Sequence, residues 1–391
     1  MTVTALNITA AAESLKRFYL PGLRNQLNYE PCIFLAQVES GSQGVTGEEI
    51  AMALRYGYSG GISSVADNAK LPTPSPRKSI QAKWKTKNLF GRMRITEKAI
   101  QASKDNVGAF TELLRQTVED LEEDSKLNLS RQSIGNGTGK LCAVTSSTSN
   151  IVTIDSNLYL MEGMLVDIYN HATTGAKVGS GSGVEILQIL TDTTIKISAT
   201  VGTSGAAMYI KNSKGNELTG LDAVIDATTG ASLYGIEKDD YRWLHSNVTD
   251  LAGEISEVKI QKEIHRVNRL SGSKTNFLLV SQGVQRAYQN LQLSMKQHVN
   301  TMDLKGGFTA LTYNGMPLAE DRYVKSGCMY GLDLNDWKMY QMADWDWLNR
   351  HGSMFSQTAD YAAWEASLFK FCDIGCQRPR GQFLLYGITE H

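Results

Sequence analysis

Apolar positions recur along this chain in three rhythms. Val107, Phe110, Leu114, Val118 and Leu121 return every three or four residues, the spacing that gathers side chains on one face of an α-helix. The run from Asn106 to Ser133 therefore predicts a helix about 40 Å long with one face buried. Between Ser79 and Thr96 the period shortens to two. Ile80, Ala82, Trp84 and Thr86 alternate with Gln81, Lys83, Lys85 and Lys87, which predicts a strand. From Cys142 to Asn212 the text breaks into short β-branched runs, IVTI, VEILQIL and TIKISA among them, parted by Gly, Ser and Thr. That pattern predicts several short strands closing a small barrel or sandwich, inserted into a mixed α and β chain.

The remaining elements follow from the same periods and from their stop signals. Residues 1–53 read as an extended arm, because apolar patches such as PCIFLAQV are separated by Pro and Gly. The stretch 54–94 reads as a two-stranded projection whose tip, NAKLPTPSPRKS, holds three prolines that cannot donate to a ladder. Helices are expected again from Glu254 to Leu270 and from Ser281, with the strand NFLLV between them. A hairpin is expected at Asn314-Gly315. The aromatic C-terminal runs CMYGLDL, KMYQMADWDWL and AAWEASLFKF read as strands returning to a sheet laid down earlier.

Charge changes this picture in one place. The whole chain is close to neutral, so no overall basic field would hold nucleic acid. Locally, the projection carries Lys70, Arg77, Lys78, Lys83, Lys85, Lys87, Arg92, Arg94 and Lys98 with almost no acid. The long helix carries Asp105, Glu112, Glu119, Asp120, Glu122, Glu123 and Asp124 with Arg115 as its main counterweight. Two solvated faces would look like this. So would the two halves of a contact between copies, with Lys78, Lys83, Trp84, Lys85, Lys87, Arg92 and Arg94 set against Glu112, Glu119, Glu122 and Glu123 of a neighbour.

Chemistry is harder to find. The glycine-rich stretch GNGTGK resembles a phosphate cradle, yet only three residues separate Gly135 from Gly139, Lys140 is followed by Leu141, and a helix precedes the turn. Gly135, Gly137 and Gly139 are read instead as the helix-stop turn, with Gly135 taking the left-handed cap. Five scattered cysteines read as packed, reduced thiols, and six scattered histidines form no ligand or nucleophile pattern. Asp344 and Asp346 read as an exposed strand face, and Trp345, Trp347 and Trp364 as packing residues. No enzyme, cofactor or metal is expected. The opening residues have neither a basic nor an apolar signal region, and no run is long enough to span a membrane, so a soluble protein without a membrane partner is expected.

The order of these elements resembles the major capsid proteins of tailed bacteriophages, the Johnson fold. The resemblance rests on Leu71-Pro72 at the projection tip, RMRITEKAI entering the helix, GNGTGK leaving it, TYNGMPLAED, and DWDWLNRHGSMF. Asn136 stands where family members often have Asp. The family implies an α+β chain divided into an N-terminal arm (1–53), an extended loop (54–94), a spine helix with the first part of a peripheral domain (95–141), an inserted β-rich domain (142–212), an axial domain (213–340) and peripheral return strands (341–391). It also implies self-assembly through hexamers and pentamers into an icosahedral shell around double-stranded DNA. Further implications are a separate scaffolding protein, a portal, assembly in the host bacterial cytoplasm and residence in the virion. An encapsulin-type compartment shell shares the fold and is the alternative.

Overall fold

Two β-sheets, a closed barrel and one long helix organise the described residues. The computed structural model describes residues 32–98, 107–170, 175–178, 181–200, 205–226, 232–294, 301–303, 309–349, 355–358 and 361–390; for 107–114, 294, 302–303 and 309 only the backbone is described. Most of the expected arm therefore lies outside the described residues.

The long helix spans Val107–Ile134, close to the sequence expectation. Its inward positions Val118, Leu121 and Leu129 join the main core, and Leu121 lies on the strand Lys87–Thr96, where a Cβ on Gly91 would stand 2.9 Å from it. That strand pairs antiparallel with Ala363–Cys376. In the same sheet Ala363–Cys376 also pairs with Trp337–Trp347, which takes Glu39–Gly41 as a parallel edge strand.

The second sheet has seven strands, in the order 247–253, 383–388, 329–332, 277–280, 316–320, 309–313, 301–303. Its central strand FLLV is buried at all four positions. Leu278 and Val280 face the helices Glu257–Ser271 and Gln282–Ser294, while Phe277 and Leu279 face the core shared with the first sheet. Ser256 caps the first of these helices by accepting from the Lys259 amide at 3.3 Å, which is why it starts later than its periodicity alone suggests. Asn314-Gly315 forms the expected two-residue turn, both residues at positive φ.

Strands at 140–148, 151–154, 165–169, 184–191, 194–197 and 207–210 close on themselves as a six-stranded barrel. It has its own core, including Val152, Val166, Ile168, Ile186, Ile195 and Ile197, each no more than 2% exposed.

Four expectations need correction. The chain is packed, not arm-like, from Cys32 onward: Phe34 is fully buried against the edge of Trp337, ring centroids 5.3 Å apart. The described part of that apolar run, 32–38, is largely buried in the core.

The stretch 54–94 is not one projection. Glu49–Tyr56 and Lys78–Lys85 form a hairpin, residues 57–77 connect them without a strand, and Lys87–Thr96 belongs to the first sheet. The division falls at Thr86, where the buried set passes from even positions (Ile80, Ala82, Trp84) to odd ones (Leu89, Met93, Ile95). A slip of one residue turns every side chain to the other face.

The C-terminal stretch does not return wholly to one sheet. Pro379–Gly381 turns the chain so that Phe383–Ile388 enters the seven-stranded sheet, beside Asn247–Gly253 and Met329–Leu332.

Gly135 is not the left-handed residue. Gly137 and Gly139 have positive φ, at 76° and 79°. The helix end is buried, and a Cβ on Gly220 would stand 2.4 Å from the Gly135 carbonyl oxygen.

Candidate assembly surfaces

The turn GNGTGK is built from its own polar atoms. Asn136 Oδ1 accepts from the Thr138 amide at 3.1 Å and from its hydroxyl at 2.6 Å, and Thr138 Oγ1 accepts from the Lys140 amide. A Cβ on Gly139 would stand 2.9 Å from the Ser213 carbonyl oxygen, so the entry to the barrel lies against its exit. One helical turn earlier, Arg131 donates to both carboxylate oxygens of Glu217 at 2.9 and 2.5 Å, with both side chains buried. The clasp holds the barrel stem to the helix end. Helix carbonyls and a carboxylate surround this turn, where a phosphate cradle would present amide donors.

A second polar node sits on the first sheet. Asp373 is fully buried and accepts from Trp84 Nε1 (3.0 Å), the Thr219 amide (2.7 Å) and the Thr219 hydroxyl (2.9 Å). Burial outweighs these bonds and raises its pKa to about 6. Hairpin, barrel exit and sheet meet on this one carboxyl.

Trp84, expected to touch a neighbour, is thus used inside the chain, its ring 4.2 Å from that of Tyr234 and edge-on to Tyr340. Arg92 pairs with Glu365, and Arg94 lies 3.7 Å from the same carboxylate and over the Tyr361 ring. Both were expected to seek a neighbouring helix. Sheet pairing puts Glu365 directly opposite Arg94. Lys85 pairs with Glu48 at 3.2 Å, and Lys87 donates to the Gly215 carbonyl at 3.1 Å. On the helix, Glu119 pairs with Arg115 and Glu122 with Lys126, each one turn apart. Lys78, Lys83 and Glu123 are exposed, and the Glu112 side chain lies outside the described residues. Asp344 is not a purely solvated position either, since it accepts from the buried Lys370 at 3.1 Å.

Residues 57–77 present something the charge pattern did not announce. Tyr58 is 71% exposed, Ile62 65% and Leu71 77%, with Val65 also open. Isolated apolar side chains on a surface are ordinary, but four on one strandless connection form a surface suited to being covered. All five cysteines are free and buried, and burial raises the thiol pKa of each. His245 is packed against the Lys238 carbonyl. Histidines 171, 298, 351 and 391 lie outside the described residues.

No family model matches the sequence, and no curated protein matches it. Among solved structures, the capsid of Cyanophage A-1(L) superposes over 94% of this chain and 95% of its own, with a TM-score of 0.59 at 10% identity. The chain has a phage major capsid fold. At that identity the likeness is one of fold. Weaker likenesses reach the capsid of a native GTA particle (TM-score 0.48, 9% identity, 91% of this chain and 90% of that one). They also reach the holo encapsulin complex of Synechococcus elongatus (TM-score 0.44, 10% identity, 90% and 87%). Within the capsid fold, the arginine clasp and the Asp373 node had no local signature in the sequence, whereas the exposed connection was marked by its three prolines. An isolated acid in the apolar run FCDIGC was the nearest signal.

Proposed function

We propose that this protein is a shell subunit of a tailed-phage head, assembling with copies of itself into an icosahedral container for double-stranded DNA. The observation that carries this reading is the capsid fold, matched over nearly the full length of both chains. Support comes from the connection 57–77, whose exposed Tyr58, Ile62, Val65 and Leu71 gain by burial against a second copy.

The subdivision follows the fold. Residues 57–77 with their hairpin act as the extended loop, 107–134 as the spine, the first sheet as the peripheral domain, the seven-stranded sheet as the axial domain, and the barrel as an inserted domain. Lys78 and Lys83 remain candidates for contact with an acidic helix face of a neighbour. Assembly through hexamers and pentamers, a separate scaffolding protein, a portal and a virion location belong to the same reading.

Particles purified from cells making the protein test it by their contents. Nuclease-protected double-stranded DNA of uniform, genome-like length is the expected result. A single folded enzyme as cargo, with no protected DNA, would make the protein an encapsulin-type compartment shell instead.

A further inference from the structure

Four arginines line one cleft in a chain whose formal net charge is −1. Arg55 and Arg77 come from the two sides of the hairpin, and Arg378 and Arg380 flank Pro379 where the first sheet hands over to the second. The cleft has a volume of about 800 Å³. Tyr56 and Trp243 also line it and stack on each other, ring centroids 5.1 Å apart and planes 15° from parallel.

Asp336 is the only carboxylate among the described lining residues, and it is already engaged. It is largely buried, accepts from Gln382 at 3.4 Å, and lies 3.8 Å from Arg378. Among the described residues no carboxylate lies within ion-pair distance of Arg55, Arg77 or Arg380. Guanidinium groups keep their charge at all physiological pH values, so a cleft of this kind is completed by anions from outside the chain.

A matching surface stands on the long helix. Asp120, Glu123 and Asp124 are exposed at spacings of three and four, on one face, opposite the buried Val118 and Leu129. Among the described residues none of the three has a cation within ion-pair distance, whereas Glu119 and Glu122 are matched along the helix by Arg115 and Lys126. Partial burial and the neighbouring Glu123 and Asp120 raise the Asp124 pKa, as expected of an acidic face without compensation.

From the cleft and the helix face together we infer that Arg55, Arg77 and Arg380 receive Asp120, Glu123 and Asp124 of a second copy. The inference rests on the shell reading above. It moves the basic half of the contact away from Lys85, Lys87, Arg92 and Arg94, which have partners within the chain. The carboxylate helix face is favoured over a nucleic-acid backbone because the same chain supplies both halves in matching number. Complementary charge of this kind sets orientation and encounter rate between copies more than it sets affinity.

Charge reversal and repair in the full chain test it. Arg77→Glu with Arg380→Glu should leave a folded subunit whose yield of assembled particles falls about ten-fold at low salt, where such pairs are least screened. Adding Asp120→Lys, Glu123→Lys and Asp124→Lys to the same chain should restore the yield. Should the reversed chain be poorly folded, Arg77→Cys with Glu123→Cys serves instead. The native cysteines are all buried, so a disulfide-linked dimer in oxidised particles would identify the contact. Normal assembly of the folded reversed chain, failure of the repair, or absence of that disulfide overturns the inference. So does normal assembly with loss of enclosed nucleic acid, which would assign the cleft to a phosphate backbone. Failure of the unmodified chain to form particles would instead overturn the shell reading itself.

Discussion

The barrel and the connection 57–77 are both excursions from the same body, and they finish folding in opposite ways. The barrel pairs every strand on both sides and encloses its own core, so no strand edge is left for a partner, although Ile151, Leu165, Leu187 and Leu190 are exposed on its outer face. The connection pairs nothing along its length and leaves Tyr58, Ile62 and Leu71 in solvent. A segment whose apolar side chains outnumber the places within its own chain to put them is one that folds against something else. On this view the barrel is cargo carried by the subunit, and the connection is part of the means by which subunits meet.

The contrast depends on the clasp that holds the barrel stem, and breaking it gives the largest effect. Arg131→Ala leaves Glu217 buried and unpaired, and should lower stability by about 3–5 kcal/mol in thermal or denaturant unfolding. Arg131→Met combined with Glu217→Leu should recover most of that loss. A single change that costs under about 1 kcal/mol would mean that the stem is held elsewhere.

Next in size is a pH effect at the node that joins hairpin, sheet and barrel exit. Asp373 has a folded pKa raised to about 6 from an ordinary 3.8, so between those values the folded chain keeps a proton that the unfolded chain releases. Its contribution to stability is therefore fully present below about pH 4 and is lost as the pH rises to about 6. Stability measured across that window should fall more steeply in the unmodified chain than in Asp373→Asn, the gap changing by up to about 3 kcal/mol. Parallel curves would show that burial does not govern this carboxyl.

Removing the barrel should matter less. Replacing residues 140–210 by a short Gly/Ser linker gives up the contact in which Tyr159 stacks on Tyr323 and donates to its carbonyl at 3.2 Å. A cost of about 1–2 kcal/mol is expected, with the helical circular dichroism retained. Loss of soluble, helical protein would show that the barrel is a structural support. The smallest effect is expected in the connection: Ile62→Ser with Leu71→Ser should alter subunit stability by no more than about 0.5 kcal/mol while lowering particle yield. Equal yields would remove the connection from the interface.

The sequence made some of this legible and hid the rest for identifiable reasons. The long helix could be read because its period persists through Val118 and Leu121, and the barrel because β-branched runs and Gly/Ser turns alternate over seventy residues. The division at Thr86 was visible in principle, as the passage from even to odd buried positions, but reading on through one continuous basic strand concealed it. Nothing local says that Phe383 and Leu385 pair with strands at 247–253 and 329–332, since a period of two gives a face and not a partner. The arginine cleft was hidden more completely. Arg55, Arg77, Arg378 and Arg380 are brought together only by the hairpin lying across the junction of two sheets. Charges counted along the chain pointed to Lys85, Lys87, Arg92 and Arg94, whose partners sit within the same fold.

The most direct test is the assembly state of the full-length chain, produced alone and together with the proteins of its own genome, followed by sedimentation and electron microscopy. Closed particles of uniform size are predicted, with subunits in rings of five and six. A chain that stays monomeric under every condition, with residues 57–77 as open to protease in the mature sample as in the isolated subunit, would contradict the account.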